Sequence, residues 1–240
     1  MTTLLIQTES IPLTVNLPMP IEMTIAEFYE FCQANRELRI ERSANGEVII
    51  MPPAFSDTGN RNFNLAVQIG VWAEQDGTGL GFDFSAGFTL HNGATRSPDA
   101  AWIRLERWNA LSSWANSNVG WVSDSVTHAG VGFRSSTSTY SVLRLIGTSY
   151  LTEDEKASFA PICPDFVVEL KSSSDTLSGL QAKMAEYMAN GARLGFLIDR
   201  KQCQVHVYRP GQEPKILENP DGVSGDPELP GFQLQIAKIW

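Results

Sequence analysis

The chain is poor in the residues that cross-link small proteins or bind zinc. It has three cysteines and three histidines, and neither set is clustered. An odd number of scattered cysteines does not form a disulfide framework, and no ligand spacing suggests a zinc site. The cysteine usage therefore predicts a reduced, cytoplasmic protein without structural zinc.

Long apolar runs and an excess of basic charge are missing as well. No stretch approaches the ~20 apolar residues that span a bilayer, and the first residues lack the basic start and apolar core of a signal peptide. Lys and Arg number 18 against 27 Asp and Glu, for a net charge of −9. That balance argues against a protein that wraps nucleic acid with a broad basic face, although a nuclease needs only a local basic rim.

The chain does have the length and hydrophobic content of one soluble domain. Its 240 residues are 42% hydrophobic, enough to bury a substantial core. Apolar periodicity, helix caps and turn signals predict three main helices, at 24–35, 56–75 and 177–190. Strands are predicted at 38–42 and 47–51, around the hairpin signal Asn45-Gly46, and at 79–84, 87–90, 164–171, 194–198 and 204–208.

The helix predicted at 56–75 carries an apolar stripe at helical spacing, which we expect to face the core. The stripe consists of Phe63, Ala66, Val67, Gly70 and Val71. In the first two turns of this helix, Asn60 and Arg61 most simply solvate the helix. Amides and arginines near a helix N-terminus also contact phosphate, so both residues are candidates for lining a site.

The chemistry is concentrated in the strand predicted at 164–171. Side chains alternate along a strand, so Glu169 and Lys171 share one face. A carboxylate and an ammonium are costly to bury unless they pair or hold a metal. The simplest interpretation is a surface ion pair at a strand end, whereas a second acid from another element would favour a metal site.

Two aspartates compete to be that second acid. Asp165 shares the face of Glu169, but a strand rises roughly 3.3 Å per residue, which separates their attachment points by about 13 Å. Two carboxylates that share one Mg²⁺ must each place an oxygen about 2.1 Å from it. Asp99 follows Pro98 at the start of a separate apolar strand, and strand pairing can place it beside Glu169. Asp99 is therefore the predicted partner, and Asp165 is a turn residue.

Ser97-Pro98-Asp99 followed by Glu169-Leu170-Lys171 resembles the PD-(D/E)xK nuclease pattern. More specifically, much of the chain is similar to the Uma family of restriction-endonuclease-like proteins, over roughly 24–111 and 152–240. Each motif is weak alone, but their order and their strand and helix contexts make the set specific. The similar segments are 46–53, 96–99, 163–172, 187–191, 197–199 and 208–211.

The resemblance implies an α/β fold of the restriction-endonuclease type, with a mixed sheet flanked by helices. It implies a metal-dependent DNA endonuclease in which Asp99, Glu169 and the Leu170 carbonyl bind one or two Mg²⁺ or Mn²⁺ ions. Lys171 would orient or deprotonate the attacking water, or stabilise charge on the phosphate. The reaction would be in-line displacement at a phosphodiester. Cutting two strands needs two sites, which favours a homodimer.

Further site residues are less sharply indicated. Lys183 and Tyr187 lie four apart on one helix face and resemble a polar-x-x-x-Tyr element that lines some nuclease sites of this fold. The alternative is a solvated lysine and a half-buried tyrosine. Either Glu41 or Glu47 would supply an extra acid near the metal, and the sequence does not choose between them.

Residues 112–151 depart from the family pattern. In the family a segment like 108–111 runs almost directly into one like 152–155, whereas here a stretch with 14 Ser or Thr and no Lys, Glu or Pro intervenes. We expect a single domain over 1–240 with a poorly ordered insertion at 112–151, because the cost of loop closure grows slowly with length. The alternatives to a nuclease are a non-catalytic protein of the same fold and another metal-dependent hydrolase.

Overall fold

The computed structural model describes residues 13–15, 25–51, 53–117 and 159–240. The helices in these ranges are α1 (Ile25–Ala34), α2 (Ser56–Asp76), α3 (Leu105–Ser117) and α4 (Leu177–Ala189). The three helices predicted from the sequence correspond to α1, α2 and α4, and each prediction is confirmed to within one residue at either end.

The described strands are short and include all of those predicted. In chain order they are β1 (Leu13–Val15), β2 (Arg39–Arg42), β3 (Val48–Met51), β4 (Gly79–Asp83), β5 (Phe88–Thr89), β6 (Thr95–Arg96), β7 (Ala100–Arg104), β8 (Phe166–Leu170), β9 (Leu194–Asp199), β10 (Gln204–Tyr208), β11 (Lys215–Glu218), β12 (Gly222–Ser224) and β13 (Gln233–Gln235). The predicted hairpin at Asn45-Gly46 is confirmed, because β2 and β3 pair antiparallel and Gly46 has a left-handed φ of 86°.

A six-stranded mixed sheet in the order β11-β10-β9-β8-β7-β4 forms the centre of the fold. Its neighbouring strands are antiparallel except for β8 and β9, which are parallel and are connected through α4, since parallel strands need a crossover. A second sheet has the order β1-β3-β2-β6-β5. The predicted fold class, a mixed sheet flanked by helices, is confirmed.

The central sheet is buried on both faces. Val168 and Leu170 pack on the side of α2, whereas Val167 and Leu197 pack on the side of α4. All residues of β8 and β9 are buried, as expected for parallel strands covered on both sides. Glu169 is therefore an acid inside an otherwise apolar strand, and the fold has to supply its partners.

The apolar stripe predicted on α2 faces the wrong way. Phe63, Val67 and Val71 are 64%, 42% and 50% exposed, and the other two members of the stripe, Ala66 and Gly70, are not buried either. The buried side of the helix consists of Asn62, Leu65, Ile69 and Ala73. The prediction was wrong because a search for apolar residues at helical spacing leaves polar residues out of the buried side. Asn62 lies on the buried side and makes a hydrogen bond inside the fold.

Helix α3 runs to Ser117 and so enters the segment predicted as an insertion at 112–151. Residues 118–151 lie outside the described residues, and the insertion stays a prediction. None of the described helices combines the length and the apolar character that crossing a membrane requires.

Candidate active site

Strand pairing brings Asp99 and Glu169 side by side. Strands β7 and β8 are antiparallel with Ala100 opposite Val168, so the next positions outward are Asp99 and Glu169. Asp99 Oδ2 accepts a 2.8 Å hydrogen bond from the backbone N–H of Leu170. Asp99 and Glu169 are only 7% and 3% exposed. The structure therefore has the strand pairing that the prediction of Asp99 as the partner of Glu169 requires.

Asp165 lies at the opposite end of β8. Its Oδ2 accepts a 3.0 Å hydrogen bond from the backbone N–H of Arg104 and lies 3.0 Å from Nη1 of Arg107. These contacts attach the start of α3 to the sheet. Asp165 is buried like Asp99, but its partners give it a structural role at the far end of the strand.

Asp99 is held from two other elements, α2 and β2. Asn62 Nδ2 donates to Asp99 Oδ1 at 3.1 Å, and Arg39 Nη1 lies 3.4 Å from the same oxygen. Arg39 Nη2 also donates to the carbonyl of Ser97 at 2.6 Å. Asn62 Oδ1 is buried and has no hydrogen-bond partner in the described part of the chain. The sequence reasoning missed both Asn62 and Arg39.

The two candidates chosen on α2, Asn60 and Arg61, lie elsewhere. Asn60 is exposed and accepts a hydrogen bond from Asn64. Arg61 donates to the backbone carbonyls of Ile239 at 2.6 Å and Trp240 at 3.0 Å, so it fastens the C-terminal segment to α2. No contact of either residue with Asp99 or Glu169 is found among the described residues.

Helix α4 supplies the partners of Glu169. Lys183 Nζ lies 2.9 Å from Glu169 Oε1, and the hydroxyl of Tyr187 donates to the same oxygen at 3.1 Å. Tyr187 is fully buried, and the Lys183 side chain is 12% exposed. The solvated lysine and half-buried tyrosine of the simpler interpretation are therefore not observed.

Of the two candidate extra acids, Glu41 lies in this cluster and Glu47 does not. Glu41 is 2% exposed, and its Oε1 is 2.9 Å from Lys183 Nζ. The same oxygen accepts a 2.9 Å hydrogen bond from the backbone N–H of Ser97, and Oε2 is 3.3 Å from Arg96 Nη1. Glu47 is exposed in the turn between β2 and β3. Lys183 thus bridges two buried carboxylates.

Arg96 extends the cluster to a further acid, since its Nε lies 2.6 Å from Glu186 Oε2. We call the whole set the buried charge cluster. When every group is ionised it has four negative and three positive charges, so one negative charge lacks compensation. Its members are the acids Glu41, Asp99, Glu169 and Glu186 and the cations Arg39, Arg96 and Lys183.

The pKa shifts of Glu169, Glu41 and Lys183 indicate which acid lacks a compensating cation. Burial raises the pKa of Glu169 to about 7, and Asp99 and Glu41 add to the rise against the opposing effect of Lys183. Burial also disfavours the charged form of Glu41, but Lys183, Arg96 and the Ser97 N–H outweigh it and lower the pKa of Glu41. Burial opposes the charge on Lys183 too, yet Glu169 and Glu41 raise its pKa. Glu169 is thus the acid most in need of another cation.

Lys171 is in a different situation from Lys183. It is partly exposed, and its side chain has no ion pair or hydrogen bond in the described part of the chain. Its backbone N–H donates to the carbonyl of Ile198 at 2.9 Å, which fixes the end of β8. Alternation along the strand places its side chain on the same face as Glu169. Lys171 is therefore a cation that is available to an added ligand.

The oxygen donors fit a hard divalent cation with few protein ligands. Asp99 and Glu169 offer two buried carboxylates, and Asn62 Oδ1 is a buried oxygen still without a partner among the described residues. Mg²⁺ commonly uses one or two carboxylates and keeps several waters. Within the described ranges no group of three or more His, Cys, Asp or Glu is placed to hold a metal ion. The donors suit Mg²⁺ or Mn²⁺ and do not form an all-protein cage.

A family model matches most of the chain. The family model Uma2, described as "Putative restriction endonuclease", matches residues 25–122 and 142–237. The chain belongs to the Uma2 family. The resemblance drawn from the motifs is thereby confirmed, and the two matched parts of this Uma2 chain contain every member of the buried charge cluster. Residues 123–141, between them, fall inside the segment predicted as an insertion.

A solved structure supports the fold of this Uma2 chain independently. It is a putative nuclease belonging to DUF820 from Anabaena variabilis ATCC 29413, with a TM-score of 0.58 and 16% sequence identity. The similarity covers 90% of this chain and 97% of that one. At this identity the similarity shows a shared fold. No curated protein matches the chain.

Proposed function

We propose that this protein is a metal-dependent DNA endonuclease. The observation that carries the proposal is the side-by-side placement of two buried carboxylates, Asp99 and Glu169. Lys171 follows at the same end of β8, and its side chain has no partner among the described residues. Neighbouring buried acids destabilise a core unless they are compensated, and they are typical of sites that bind a cation or perform acid–base chemistry. Membership in a family described as "Putative restriction endonuclease" supports the proposal.

Each residue has a defined task in this proposal. Asp99, Glu169 and the Leu170 carbonyl hold one Mg²⁺ or Mn²⁺ ion, which when bound lowers the pKa of water and neutralises charge on the phosphate. Asn62 and Arg39 fix the Asp99 carboxylate through their contacts with Oδ1. The Lys171 ammonium orients the attacking water or stabilises negative charge on the phosphate.

Local charge supports DNA as the substrate despite the acidic chain. A cavity of about 790 Å³ adjoins the site, and Arg39 and Ser97 line it. Arg36, Tyr29 and Phe84 line it too, and Arg39 lies 5.7 Å from the ring centre of Phe84. Arginines contact phosphates, and aromatic rings stack on bases. Arg36 and Arg39 are basic residues of this lining, which also includes the acid Glu37, and DNA binding that uses their phosphate contacts would weaken with added salt.

The exposed face of α2 supports a homodimer. Phe63 is 64% exposed, and a Cβ on Gly70, about two turns along, would meet nothing within 4 Å. A twofold axis near Val67 would place Phe63 of each copy over Gly70 of the other. We expect Phe63→Glu to give monomers in size-exclusion chromatography and Ile216→Glu, at another exposed apolar position, to leave the dimer intact. A monomeric wild type would contradict this part of the proposal.

The cysteines support a cytoplasmic location. Cys32, Cys163 and Cys203 all carry free thiols, as is usual for proteins kept in a reducing compartment.

Nicking of supercoiled plasmid tests the proposed activity. With Mg²⁺ or Mn²⁺, the wild type is expected to nick the plasmid, and Asp99→Ala and Lys171→Ala are expected to fall to the background. EDTA should abolish the wild-type activity, because the proposed reaction needs the divalent ion to activate water and to neutralise charge on the phosphate. Wild-type nicking no greater than that of the two variants would instead indicate a non-catalytic protein of the same fold.

A further inference from the structure

Lys183 occupies an unusual position in the buried charge cluster. Its Nζ lies 2.9 Å from Glu41 Oε1 and 2.9 Å from Glu169 Oε1. The two acids come from different sheets, Glu41 from β2 and Glu169 from β8, whereas the lysine comes from α4. The ammonium therefore joins three elements at one point.

A metal ion would suit the same position. Two carboxylate oxygens that each lie 2.9 Å from an ammonium would have to approach by about 0.8 Å to reach the ~2.1 Å distance of Mg²⁺ ligands. Side-chain rotation alone supplies movements of that size. The oxygens are already desolvated, with Glu41 and Glu169 only 2% and 3% exposed. The Lys183 ammonium now occupies the position between these two carboxylate oxygens.

Hydrogen bonds and ion pairs to the two acids keep Lys183 in place. Tyr187, one helical turn from Lys183, donates a hydrogen bond to Glu169 Oε1, the oxygen that Lys183 also contacts. Oε1 is therefore the Glu169 oxygen that faces α4. Arg96 and the Ser97 N–H hold the Glu41 carboxylate toward the lysine. Glu169 Oε2 and Asp99 remain for the divalent ion of the proposed function. The two cation positions thus share Glu169 but use different oxygens.

We propose that Lys183 serves as a built-in second cation, so that the site binds one divalent ion, and that removing its amine creates a second metal site between Glu41 and Glu169. The inference rests on the proposed function for the first ion, at Asp99 and Glu169. It assigns Lys183 a positioning role distinct from that of Lys171, which has no carboxylate partner among the described residues and faces an added ligand.

Counting bound Mn²⁺ without DNA tests this directly. Isothermal titration, with electron paramagnetic resonance to count bound ions, is applied to four folded proteins. The wild type and Lys201→Gln, which removes an exposed lysine, are expected to bind one Mn²⁺ per chain. Lys183→Gln is expected to bind two. The double variant Glu41→Gln with Lys183→Gln is expected to return to one, because the second site loses a ligand.

The outcomes separate this inference from the proposed function. One bound Mn²⁺ in a folded Lys183→Gln would mean that the lysine is only a structural ion-pair partner. Two bound Mn²⁺ in the wild type would mean that the lysine does not exclude a second metal ion. Either result overturns the inference and leaves the first metal site intact. No Mn²⁺ in the wild type would overturn the proposed metal site, and the inference with it.

A single substitution of Glu41 provides a second test if Lys183→Gln does not fold. Glu41 serves the lysine and not the first ion, so Glu41→Gln is expected to bind one Mn²⁺ with an affinity within about threefold of the wild type. Loss of that ion in Glu41→Gln would place Glu41 among the ligands of the first metal and contradict the assignment of Lys183.

Discussion

Asn62 controls the geometry of Asp99 from outside the β7–β8 pair. Its amide nitrogen donates to Asp99 Oδ1, and its buried oxygen is left for a water or a metal. Partners of this kind commonly change metal affinity by about 10–100-fold when removed. We expect Asn62→Ala to weaken Mn²⁺ binding by that factor, measured by titration calorimetry. Asn60→Ala, an exposed neighbour on the same helix, is the control. Equal affinities in the two variants would show that Asn62 does not support the site.

Glu169 makes the metal-free protein sensitive to pH. Its pKa is raised from 4.5 to about 7 in the fold, where it faces Glu41, Asp99, Lys183 and Tyr187. Between these values the folded protein binds a proton that the unfolded chain does not. The stability that this proton contributes is therefore fully present below about pH 4.5 and is lost as pH rises through about 7.

Glu169→Gln removes this titration. In EDTA, the wild type is expected to lose up to about 3 kcal/mol of unfolding free energy relative to Glu169→Gln between pH 5 and pH 8, as seen in urea unfolding. An identical pH dependence for both proteins would show that the fold compensates the Glu169 charge.

Sequence reasoning reached some of these residues and missed others for a physical reason. Asp99 and Glu169 follow from strand geometry, because the rise per residue and the alternation of faces are regular enough to exclude Asp165. Arg39 and Asn62 meet Asp99 from separate elements, and only tertiary packing brings them there. A signal for Asn62 is present in the sequence, because it falls at helical spacing with Leu65, Ile69 and Ala73, but the stripe of Phe63 and Val67 directs attention to another side of the helix.

Helix α2 shows how an element can be predicted in extent but not in orientation. Its bounds follow from periodicity and from the left-handed Gly77 that ends it, with φ of 69°. Two apolar stripes compete around its circumference, and burial in the fold decides between them. The buried stripe contains Leu65 and Ile69, whereas the exposed stripe contains Phe63 and Val67.

Truncation of one residue on each side of α2 measures which stripe is in the core. Leu65 is fully buried, so Leu65→Ala is expected to cost about 2–5 kcal/mol of unfolding free energy. Val67→Ala, at a position 42% exposed, is expected to change it by less than about 0.5 kcal/mol in the same urea experiment. The experiment is performed at a protein concentration that keeps the chain monomeric. A larger loss of unfolding free energy for Val67→Ala than for Leu65→Ala would mean that α2 is rotated.

For the whole molecule, the main prediction concerns the segment that interrupts the family pattern. The Uma2 model matches residues on both sides of 123–141. Because loop-closure entropy changes by only about 0.6 kcal/mol per doubling of loop length, deletion of 123–141 is expected to leave the unfolding free energy within about 1 kcal/mol of the full chain. Urea unfolding checks this. A deletion variant that aggregates or unfolds at much lower urea would show that the segment belongs to the fold.

The central claim is that Asp99 with Glu169, and no other buried aspartate near β8, performs metal-dependent phosphodiester cleavage. Asp165 provides the matched comparison, since it is also buried but lies at the far end of the strand. The most direct measurement is the initial rate of Mg²⁺-dependent plasmid nicking by Asp99→Asn and Asp165→Asn, at a temperature where both are folded. The account predicts a loss on the order of 100-fold or more for Asp99→Asn and a rate near wild type for Asp165→Asn. Equal rates for Asp99→Asn and the wild type would contradict it.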